Sequence, residues 1–316
     1  MIDAVMPTYA RYDVTLERGE GVYAFSTDGR KFLDFGAGIA VASLGHCHPH
    51  LVDALKSQAE TLWHCSNLYH IPGQERLAER LVSYTFADAV FFNNSGGEAV
   101  EMGFKMMRKY HAEAGHPERY RVISVEGAFH GRSLACISSG RQEKHTAGFG
   151  PLVDGFDQVA FGNMNEMRAA ITPETAGIVI EPVQGEGGIR PVDADYLKEL
   201  RAVADEFGIL LMYDEVQCGI GRTGKLYAHE WSGAAPDILA SAKGLGGGFP
   251  IGATLATEAV ADAMKAGSHG STFGGNPLAM AVGNAVLDVV LADRFMDNVT
   301  ARAEQLANGL DALVKK

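Results

Sequence analysis

Hydrophobic and polar residues along this chain follow two patterns, one typical of β-strands and one typical of α-helices. Residues 21–34 read GVYAFSTDGRKFLD, and two strand-like runs flank Asp28 and Gly29, which predicts a β-hairpin. After the hairpin, short and almost continuous apolar runs recur, each of a length typical of a buried strand. These runs cover residues 89–93, 121–125, 177–180, 208–213, 238–240 and 252–256.

Helical patterns separate the apolar runs. Residues 98–111 are predicted to form one helix, and the segment DADYLKELRAVADEFG another that ends at Gly208. The apolar residues of that segment recur at helical spacing, at Leu197, Leu200, Val203 and Phe207. Strands that alternate with helices indicate an α/β fold with a mostly parallel central sheet and helices on both faces. Ligands bind such sheets beyond the carboxyl ends of the strands, so the residues after each run matter most.

The last part of the chain reads as two helices. In the segment STFGGNPLAMAVGNAVLDVVLADRF, Asn276 and Pro277 suit the cap and the first position of a long helix. Residues 298–314 form one more helical pattern, and the sequence stops two residues later.

Composition and charge narrow the class of protein. The chain has 316 residues, 47% of them hydrophobic, and a formal net charge of −12. Nucleic-acid binders carry a basic excess, so no nucleic-acid partner is expected. No apolar stretch reaches the roughly 18 residues of a membrane span, and the N-terminus lacks the apolar segment of a secretory signal. We therefore expect a cytoplasmic protein that does not bind membranes.

Cysteines and histidines do not form a recognisable metal or disulfide pattern. Cys47, Cys65, Cys136 and Cys218 contain no CxxC pair, and disulfides are rare in cytoplasmic proteins of this size. Histidines flank Cys47 in the run GHCHPH, but this spacing differs from the usual zinc sites and the proline indicates a turn. We expect no metal site.

The segment GIGRTGK at residues 219–225 resembles two nucleotide-binding motifs. A P-loop requires Ser or Thr after the lysine, and Leu226 stands there. A dinucleotide fingerprint directly follows a strand and opens a helix, whereas five residues intervene here and no helical apolar stripe follows. A flexible glycine loop beside a site is the preferred interpretation.

A carboxylate and an amine end two consecutive predicted strands. Asp214 follows the run 208–213, and Lys243 follows the run 238–240 in the apolar context LASAKGLGGGF. A lysine in a dry site loses proton affinity and becomes a nucleophile toward carbonyls. Pyridoxal phosphate needs such a lysine for its aldehyde and a carboxylate for its ring nitrogen. Residues 92–98, FNNSGGE, run from a strand end through glycines into a helix N-terminus, a pattern that suits a phosphate but also occurs in ordinary strand-to-helix turns.

These motifs, in this order, resemble the class III aminotransferases. The resemblance covers essentially the whole chain, and it rests on SGGEA, FHGR, EPVQGE, DEVQ and STFGGNP, beginning at residues 95, 129, 181, 214 and 271. The stretches WHCSNLY and QERLA, beginning at residues 63 and 74, are closest to the acetylornithine aminotransferase branch. The family has fold type I and uses pyridoxal phosphate.

The resemblance implies a role for each matched residue around the cofactor. Lys243 would bond to the cofactor and later move the α-proton, so Lys243 and Asp214 are the expected catalytic residues. Asp214 would pair with the pyridine nitrogen, Gln217 would reach the ring hydroxyl, and Glu215 of the same motif is counted among the cofactor contacts.

The remaining expected cofactor contacts hold the ring faces and the phosphate. Val216 would pack on one ring face and Phe129 on the other, although plain core packing is the commoner fate of such residues. The backbone of Gly96 and Gly97 would bind the phosphate. The family often has Thr or Ala where this chain has Gly97, which removes one contact but keeps the N–H.

Substrate and partner contacts are also implied by the resemblance. Arg132 would clamp the substrate α-carboxylate, a bidentate task suited to guanidinium, and Ser271 would touch the same substrate. Thr272 would reach the phosphate of a neighbouring subunit, so a homodimer with shared active sites is expected. Relatives carry a late arginine for the glutamate carboxylate, and Glu186 would neutralise it. No candidate for that arginine follows Arg302.

The expected domain division follows from the same resemblance. Residues 1–50 would belong to a small domain, 51–275 to the large cofactor-binding domain, and 276–316 to the long linking helix and the start of a C-terminal small domain. Relatives extend further, so the chain is expected to be a shortened copy or a partial sequence.

The expected activity is transfer of the amino group of N2-acetylornithine to 2-oxoglutarate. Alternatives from the same chemistry are enzymes that act on ornithine, succinylornithine, 4-aminobutyrate or glutamate semialdehyde. An inactive homologue that binds the cofactor only is a further alternative.

Overall fold

The computed structural model describes residues 4–315, and a short antiparallel sheet opens the fold. Its strands are β1 (Leu16–Glu20), β2 (Tyr23–Ser26) and β3 (Lys31–Leu33), paired in that order. The hairpin predicted for residues 21–34 is therefore confirmed as β2 and β3, and β1 is an additional strand. The ends of the predicted terminal segments, Met1–Asp3 and Lys316, lie outside the described residues.

A larger sheet forms the centre of the described part of the chain. Its strands are β4 (Ala89–Asn93), β5 (Arg121–Val125), β6 (Phe156–Val159), β7 (Thr175–Ile180), β10 (Leu210–Asp214), β11 (Ile238–Ser241) and β12 (Gly252–Ala256), and the short strands β8 (Val183–Gln184) and β9 (Arg190–Pro191) pair separately. The spatial order is β4-β12-β11-β10-β7-β5-β6, and β12 alone in this sheet runs antiparallel to its neighbours. The carboxyl ends of the other strands consequently meet at one edge.

Helices connect and cover the strands. They are α1 (Ala37–Ala40), α2 (Pro49–Ala59), α3 (Pro72–Ser83), α4 (Gly96–Glu113), α5 (Leu134–Gly140), α6 (Glu143–Thr146), α7 (Met164–Ala170), α8 (Ala194–Phe207), α9 (Glu258–Ala261), α10 (Pro277–Val290) and α11 (Phe295–Val314), with 3₁₀ turns at Ala228–Trp231 and Lys243–Leu245. No helix within residues 4–315 is long and apolar enough to cross a bilayer.

Alternate residues of the central strands pack on opposite faces of the sheet. In β10, Met212 joins the apolar cluster under α4, whereas Leu211 and Tyr213 join the cluster under α8. In a strand that is buried on both faces, apolar and polar residues do not alternate, because every side chain is buried. This explains the continuous apolar runs in the sequence. The prediction of a mostly parallel α/β sheet covered on both faces is confirmed.

Several predicted boundaries differ by a few residues from the observed ones. The run 208–213 begins two residues too early, because Gly208 has a φ of 60° and ends α8 in the left-handed region. Strand β6 was not predicted, since Phe156 and Val159 are buried while the two residues between them are polar. Such a short edge strand resembles a loop in sequence.

The C-terminal helices differ in how far they are buried. Asn276 caps α10 by accepting a hydrogen bond from the amide of Ala279 at 2.9 Å, and Pro277 takes the first helical position as predicted. Helix α10 is largely buried against α2 and α3. None of the residues of α11 is buried, so this helix lies on the outside of the described structure.

Candidate active site

Asp214 and Lys243 lie on the wall of the same pocket. Strands β10 and β11 are parallel neighbours, and Asp214 is paired with Ala240, three residues before Lys243. The register therefore brings the two side chains to the same sheet edge. The pocket has a volume of about 350 Å³ and is lined mainly by residues that follow strand ends. A volume of this size suits a small organic ligand.

Lys243 is held in an uncommon backbone conformation and an apolar setting. Its φ is +44°, in the left-handed region that non-glycine residues rarely adopt. Burial lowers the pKa of its ammonium group, although the charge of Asp214 acts in the opposite direction. A lowered pKa increases the fraction of neutral amine near neutrality, and only the neutral amine is nucleophilic.

Asp214 is oriented by two hydrogen bonds. One carboxylate oxygen accepts from the amide of Val216 at 3.0 Å, and the other contacts Nδ1 of His130 at 2.8 Å. His130 is fully buried, and Nε2 of its ring has no hydrogen-bond partner among the described residues. Burial lowers the pKa of His130, but Asp214 and Glu181 outweigh this effect and raise it. The imidazole therefore stabilises the charge of Asp214.

The N-terminus of α4 forms another part of the pocket wall. Ser95 caps the helix by accepting from the amide of Glu98 at 3.3 Å, and the carboxylate of Glu98 accepts from the amide of Asn94 at 2.7 Å. The next residues, Gly96 and Gly97, line the pocket. The first N–H groups of a helix have no intrahelical partner and attract anions, so this wall suits a phosphate.

Glycine at position 96 is required by close packing. A Cβ atom there would lie 2.5 Å from Cγ1 of Val216, which is shorter than real carbon contacts. A Cβ atom on Gly97 would meet only the Cα of Gly131, at 3.9 Å. Val216 and Phe129, the residues that the resemblance assigns to the two ring faces, both line the pocket.

Gln217 and Glu186 also line the pocket. Gln217 packs directly against Gly185, where a Cβ atom would overlap the side-chain amide. The loop that carries Glu186 therefore lies directly against the Gln217 side chain.

Glu215 is a correction to the expected set of cofactor contacts. Its carboxylate is fully buried away from the pocket, where one oxygen accepts from the amide of His229 at 2.9 Å and contacts Nδ1 of the same residue at 2.7 Å. The other oxygen accepts from the amide of Ala228. Glu215 follows Asp214 directly, and successive side chains of an extended backbone point to opposite sides. Its role is to hold the 3₁₀ turn at Ala228–Trp231.

Arg132 lies just outside the main pocket, in an adjacent cavity of about 400 Å³ that also includes Tyr9 and His145. The Arg132 guanidinium carbon lies 5.6 Å from the centroid of the Phe129 ring, which lines the main pocket. Arg132 is exposed.

Ser271 and Thr272 lie outside the main pocket as well. They line a separate cavity of about 440 Å³ on the other side of the α4 N-terminus. Ser271 accepts hydrogen bonds from the side-chain amide of Asn94 at 3.1 Å and from the amide of Gly274 at 2.9 Å. The structure therefore does not bring these two residues to the Lys243 of their own chain.

Sequence reasoning gave no role to several residues of the pocket wall, among them the titratable residues His130 and Glu181. Both stand inside the quoted motifs FHGR and EPVQGE. Glu181 directly follows β7, so the same strand-end argument that selected Asp214 would have selected it.

The rejected motifs remain apart from this pocket. Lys225 of the GIGRTGK segment lies 5.1 Å from the ring centroid of Trp231 on another part of the surface, and no α-helix begins after the glycines. Within residues 4–315, no group of three or more His, Cys, Asp or Glu side chains could hold a metal ion.

Comparison with known proteins identifies the class. The fold is that of solved aminotransferases, and the family model "Aminotransferase class-III" matches residues 5–316. The chain therefore belongs to the class III aminotransferases, enzymes that depend on pyridoxal phosphate.

Among the relatives of this chain is the acetylornithine aminotransferase of Mesorhizobium japonicum, 62% identical over 98% of this chain and 78% of that protein. Two solved structures are similar. The N-acetylornithine aminotransferase of Stenotrophomonas maltophilia has a TM-score of 0.84 and 38% identity over 97% of this chain and 76% of that one. The ornithine aminotransferase of Toxoplasma gondii has a TM-score of 0.93 and 33% identity over 97% of this chain and 73% of that one.

Proposed function

We propose that this protein transfers the amino group of N2-acetylornithine to 2-oxoglutarate, which gives N-acetylglutamate 5-semialdehyde and glutamate. The observation that carries the proposal is the 62% identity to an acetylornithine aminotransferase over nearly the whole chain, together with Lys243 and Asp214 on one pocket wall. This reaction belongs to arginine biosynthesis, and the cytoplasm is the proposed location.

The residues of the pocket fit pyridoxal phosphate. The α4 N-terminus suits the phosphate, Asp214 suits the ring nitrogen, and the apolar side chains of Val216 and Phe129 suit the two ring faces. The amine of Lys243 stands in the same pocket for the aldehyde. When bound, the cofactor supplies an electron sink for a carbanion at the carbon that bears the amino group.

Lys243 moves the proton in the proposed mechanism. Because burial lowers its pKa, Nζ has the neutral fraction needed to accept a proton from the carbon that bears the amino group. The hydrogen bonds to Val216 and His130 orient the Asp214 carboxylate, and a carboxylate in that position would retain a proton on the cofactor's ring nitrogen.

Arg132 and Glu186 are proposed to select the substrates. Arg132 binds the α-carboxylate of the amino donor and of 2-oxoglutarate, for which its exposed position beyond Phe129 is suitable. Glu186, which lines the main pocket, is a further substrate contact in this proposal, and Ser271 contacts the substrate from a neighbouring subunit.

A homodimer is proposed as the active form, with Thr272 contacting the phosphate in the partner's site. Support comes from the surface beside Thr272, where Asn67 donates hydrogen bonds to the carbonyls of Ser271 and Gly274. Large apolar side chains there are exposed, namely Trp63, Leu68, Tyr69 and Phe273. An exposed apolar surface of this kind marks an interaction site.

The alternative with a specific observation behind it is ornithine as the amino donor. The Toxoplasma gondii ornithine aminotransferase has the higher TM-score of the two solved structures described above, although its sequence identity is lower. Turnover with N2-acetylornithine, ornithine, succinylornithine, 4-aminobutyrate and glutamate semialdehyde as separate substrates distinguishes the candidates.

A direct test is the visible absorbance of the protein mixed with pyridoxal phosphate, recorded with and without N2-acetylornithine. We expect an absorbance band of lysine-bound cofactor that disappears on addition of the amino donor, and no such band in Lys243→Ala. Reduction with borohydride, followed by peptide mass analysis, should place the cofactor on Lys243. A wild-type protein that takes up no cofactor under these conditions contradicts the proposal.

A further inference from the structure

Glu181 is a buried carboxyl group that connects two separate parts of the pocket wall. Its side chain directly follows β7 and is 4% exposed. One carboxylate oxygen accepts from the amide of Phe129 at 2.9 Å, and the other accepts from the amide of Gly185 at 3.2 Å. The two amides belong to loops 127–131 and 182–187, which follow different strands.

Each loop carries a residue that the pocket needs. Phe129 lines the pocket, and its ring centroid lies 5.6 Å from the guanidinium carbon of Arg132. Gly185 packs against the side chain of Gln217, with no space for a Cβ atom between them. The hydrogen bonds that Glu181 accepts from the amides of Phe129 and Gly185 therefore connect the Phe129 side of the pocket to its Gln217 side.

We propose that Glu181 is a positioning residue, which clamps loops 127–131 and 182–187 together and thereby sets the width of the cofactor slot between Phe129 and Gln217. Only the ionised carboxylate offers a full acceptor to both amides, because the protonated oxygen of a neutral carboxyl is a poor acceptor. The clamp is consequently tighter when Glu181 is ionised. The statement about the slot rests on the proposed cofactor, whereas the clamp itself does not.

Several charged or titratable groups surround Glu181. Asp214 comes from the end of β10, His130 from loop 127–131, Lys243 from the end of β11, and Cys218 from the segment after Asp214. Burial first, and the charge of Asp214 second, raise the pKa of Glu181 to about 7, while His130 and the two amides lower it. The clamp thus changes strength within the physiological pH range.

Hydrogen exchange of the cofactor-free protein tests the clamp. In Glu181→Gln the side-chain NH₂ cannot accept from an amide, so exchange in loops 127–131 and 182–187 should rise together by about tenfold, the effect of one lost hydrogen bond to a charged group. Glu215→Gln is the matched control, since Glu215 is also a buried carboxylate that holds backbone amides. Its variant should expose residues 226–231 and leave both pocket loops as in the wild type.

Release of bound cofactor is the second measurement. The release rate of Glu181→Gln relative to wild type should be near one at pH 6 and rise to about tenfold at pH 8, where the wild-type carboxylate is ionised. The same ratio for Glu215→Gln should not change with pH. Glu181→Asp remains ionisable but is one methylene shorter, so it should release cofactor faster than wild type at pH 8.

The outcomes separate the clamp from the proposed function. Unchanged exchange in both loops of Glu181→Gln, or a change in only one of them, overturns the clamp. So does a release ratio that is independent of pH, or a Glu181→Asp variant that behaves as wild type. A wild-type protein that binds no cofactor contradicts the proposed function instead, and the exchange experiment still decides the clamp.

Discussion

Individual side chains at the carboxyl edge of the sheet determine the chemistry of this pocket. Lys243 has a lowered pKa because it is buried, and Asp214 is held by His130 and by the amide of Val216. A second acid, Glu181, lies close enough to Asp214 that the negative charge of Asp214 disfavours ionisation of Glu181. This repulsion contributes to the raised pKa of Glu181. Such shifts are typical of functional sites.

Glu181 makes stability depend on pH in a defined direction. Its pKa rises from 4.5 to about 7 on folding, so between these values the folded state holds a proton that the unfolded state has lost. The wild-type free energy of unfolding therefore decreases as the pH rises through this window. Glu181→Gln lacks this titration. The free energy of unfolding of the variant minus that of the wild type should therefore increase by about 2–3 kcal/mol between pH 4.5 and 7.5, measured by urea unfolding of the cofactor-free protein. A difference between the two proteins that is constant with pH contradicts this.

The N-terminus of α4 shows how an element prepares a binding site. Ser95 and Glu98 fix the first turn, while Gly96 allows the helix to approach Val216 closely. The order of the strands brings this turn near Asp214, because β12 pairs with β4 on one side and with β11 on the other. Local sequence determines the shape of the α4 N-terminus, and the order of the strands determines that it lies near Asp214.

Two alanine substitutions test the packing at this turn. Gly96→Ala places a methyl group 2.5 Å from Val216 Cγ1, so either the helix or Val216 must move, and overpacking of this kind costs about 1–3 kcal/mol. Gly97→Ala meets only an ordinary contact at 3.9 Å. We expect Gly96→Ala to weaken cofactor binding by about tenfold more than Gly97→Ala, measured by absorbance titration. Equal affinities in the two variants would show that this contact does not shape the pocket.

At the scale of the whole molecule, the described chain divides its expected site residues between two cavities. Lys243, Asp214, Phe129 and Gln217 line one, whereas Thr272 lines another. A single chain therefore does not unite the complete set, and the proposed dimer is the arrangement that would.

Mixing two inactive variants tests the shared site. In a dimer of Thr272→Ala with Lys243→Ala, one of the two sites would contain both an intact lysine and an intact threonine. Random exchange of subunits should then restore about a quarter of wild-type activity, because half of the dimers would be mixed and each would have one intact site. Mixed protein no more active than Thr272→Ala alone contradicts a contribution of Thr272 across the interface.

The division into domains at residues 50 and 275 remains a proposal at this scale. Helix α10 packs against α2 and α3, through buried residues that include Met280, Leu51 and Leu77. The segment after the large sheet therefore contacts helices that precede the sheet in sequence. Limited proteolysis at the proposed boundaries is a suitable measurement.

Local sequence determined the elements and the chemistry of this protein. Apolar runs of strand length, the αL stop at Gly208 and the cap at Asn276 depend on neighbouring residues only, so these predictions hold to within a few residues. The choice of Lys243 and Asp214 followed from their places after two strands. The short edge strand β6 was missed because its two central residues are polar.

Only the tertiary structure decided which side chains share a pocket. Glu215 is adjacent to Asp214 in sequence, but its side chain points to the opposite side and accepts hydrogen bonds from the amides of Ala228 and His229. Glu181 follows a different strand, β7, and lines the pocket. The position of β4 in the sheet depends on its pairing with β12, which joins residues more than a hundred positions apart. The physical reason is that a sequence pattern reports the environment of each residue, while contacts between elements arise only when the sheet is assembled.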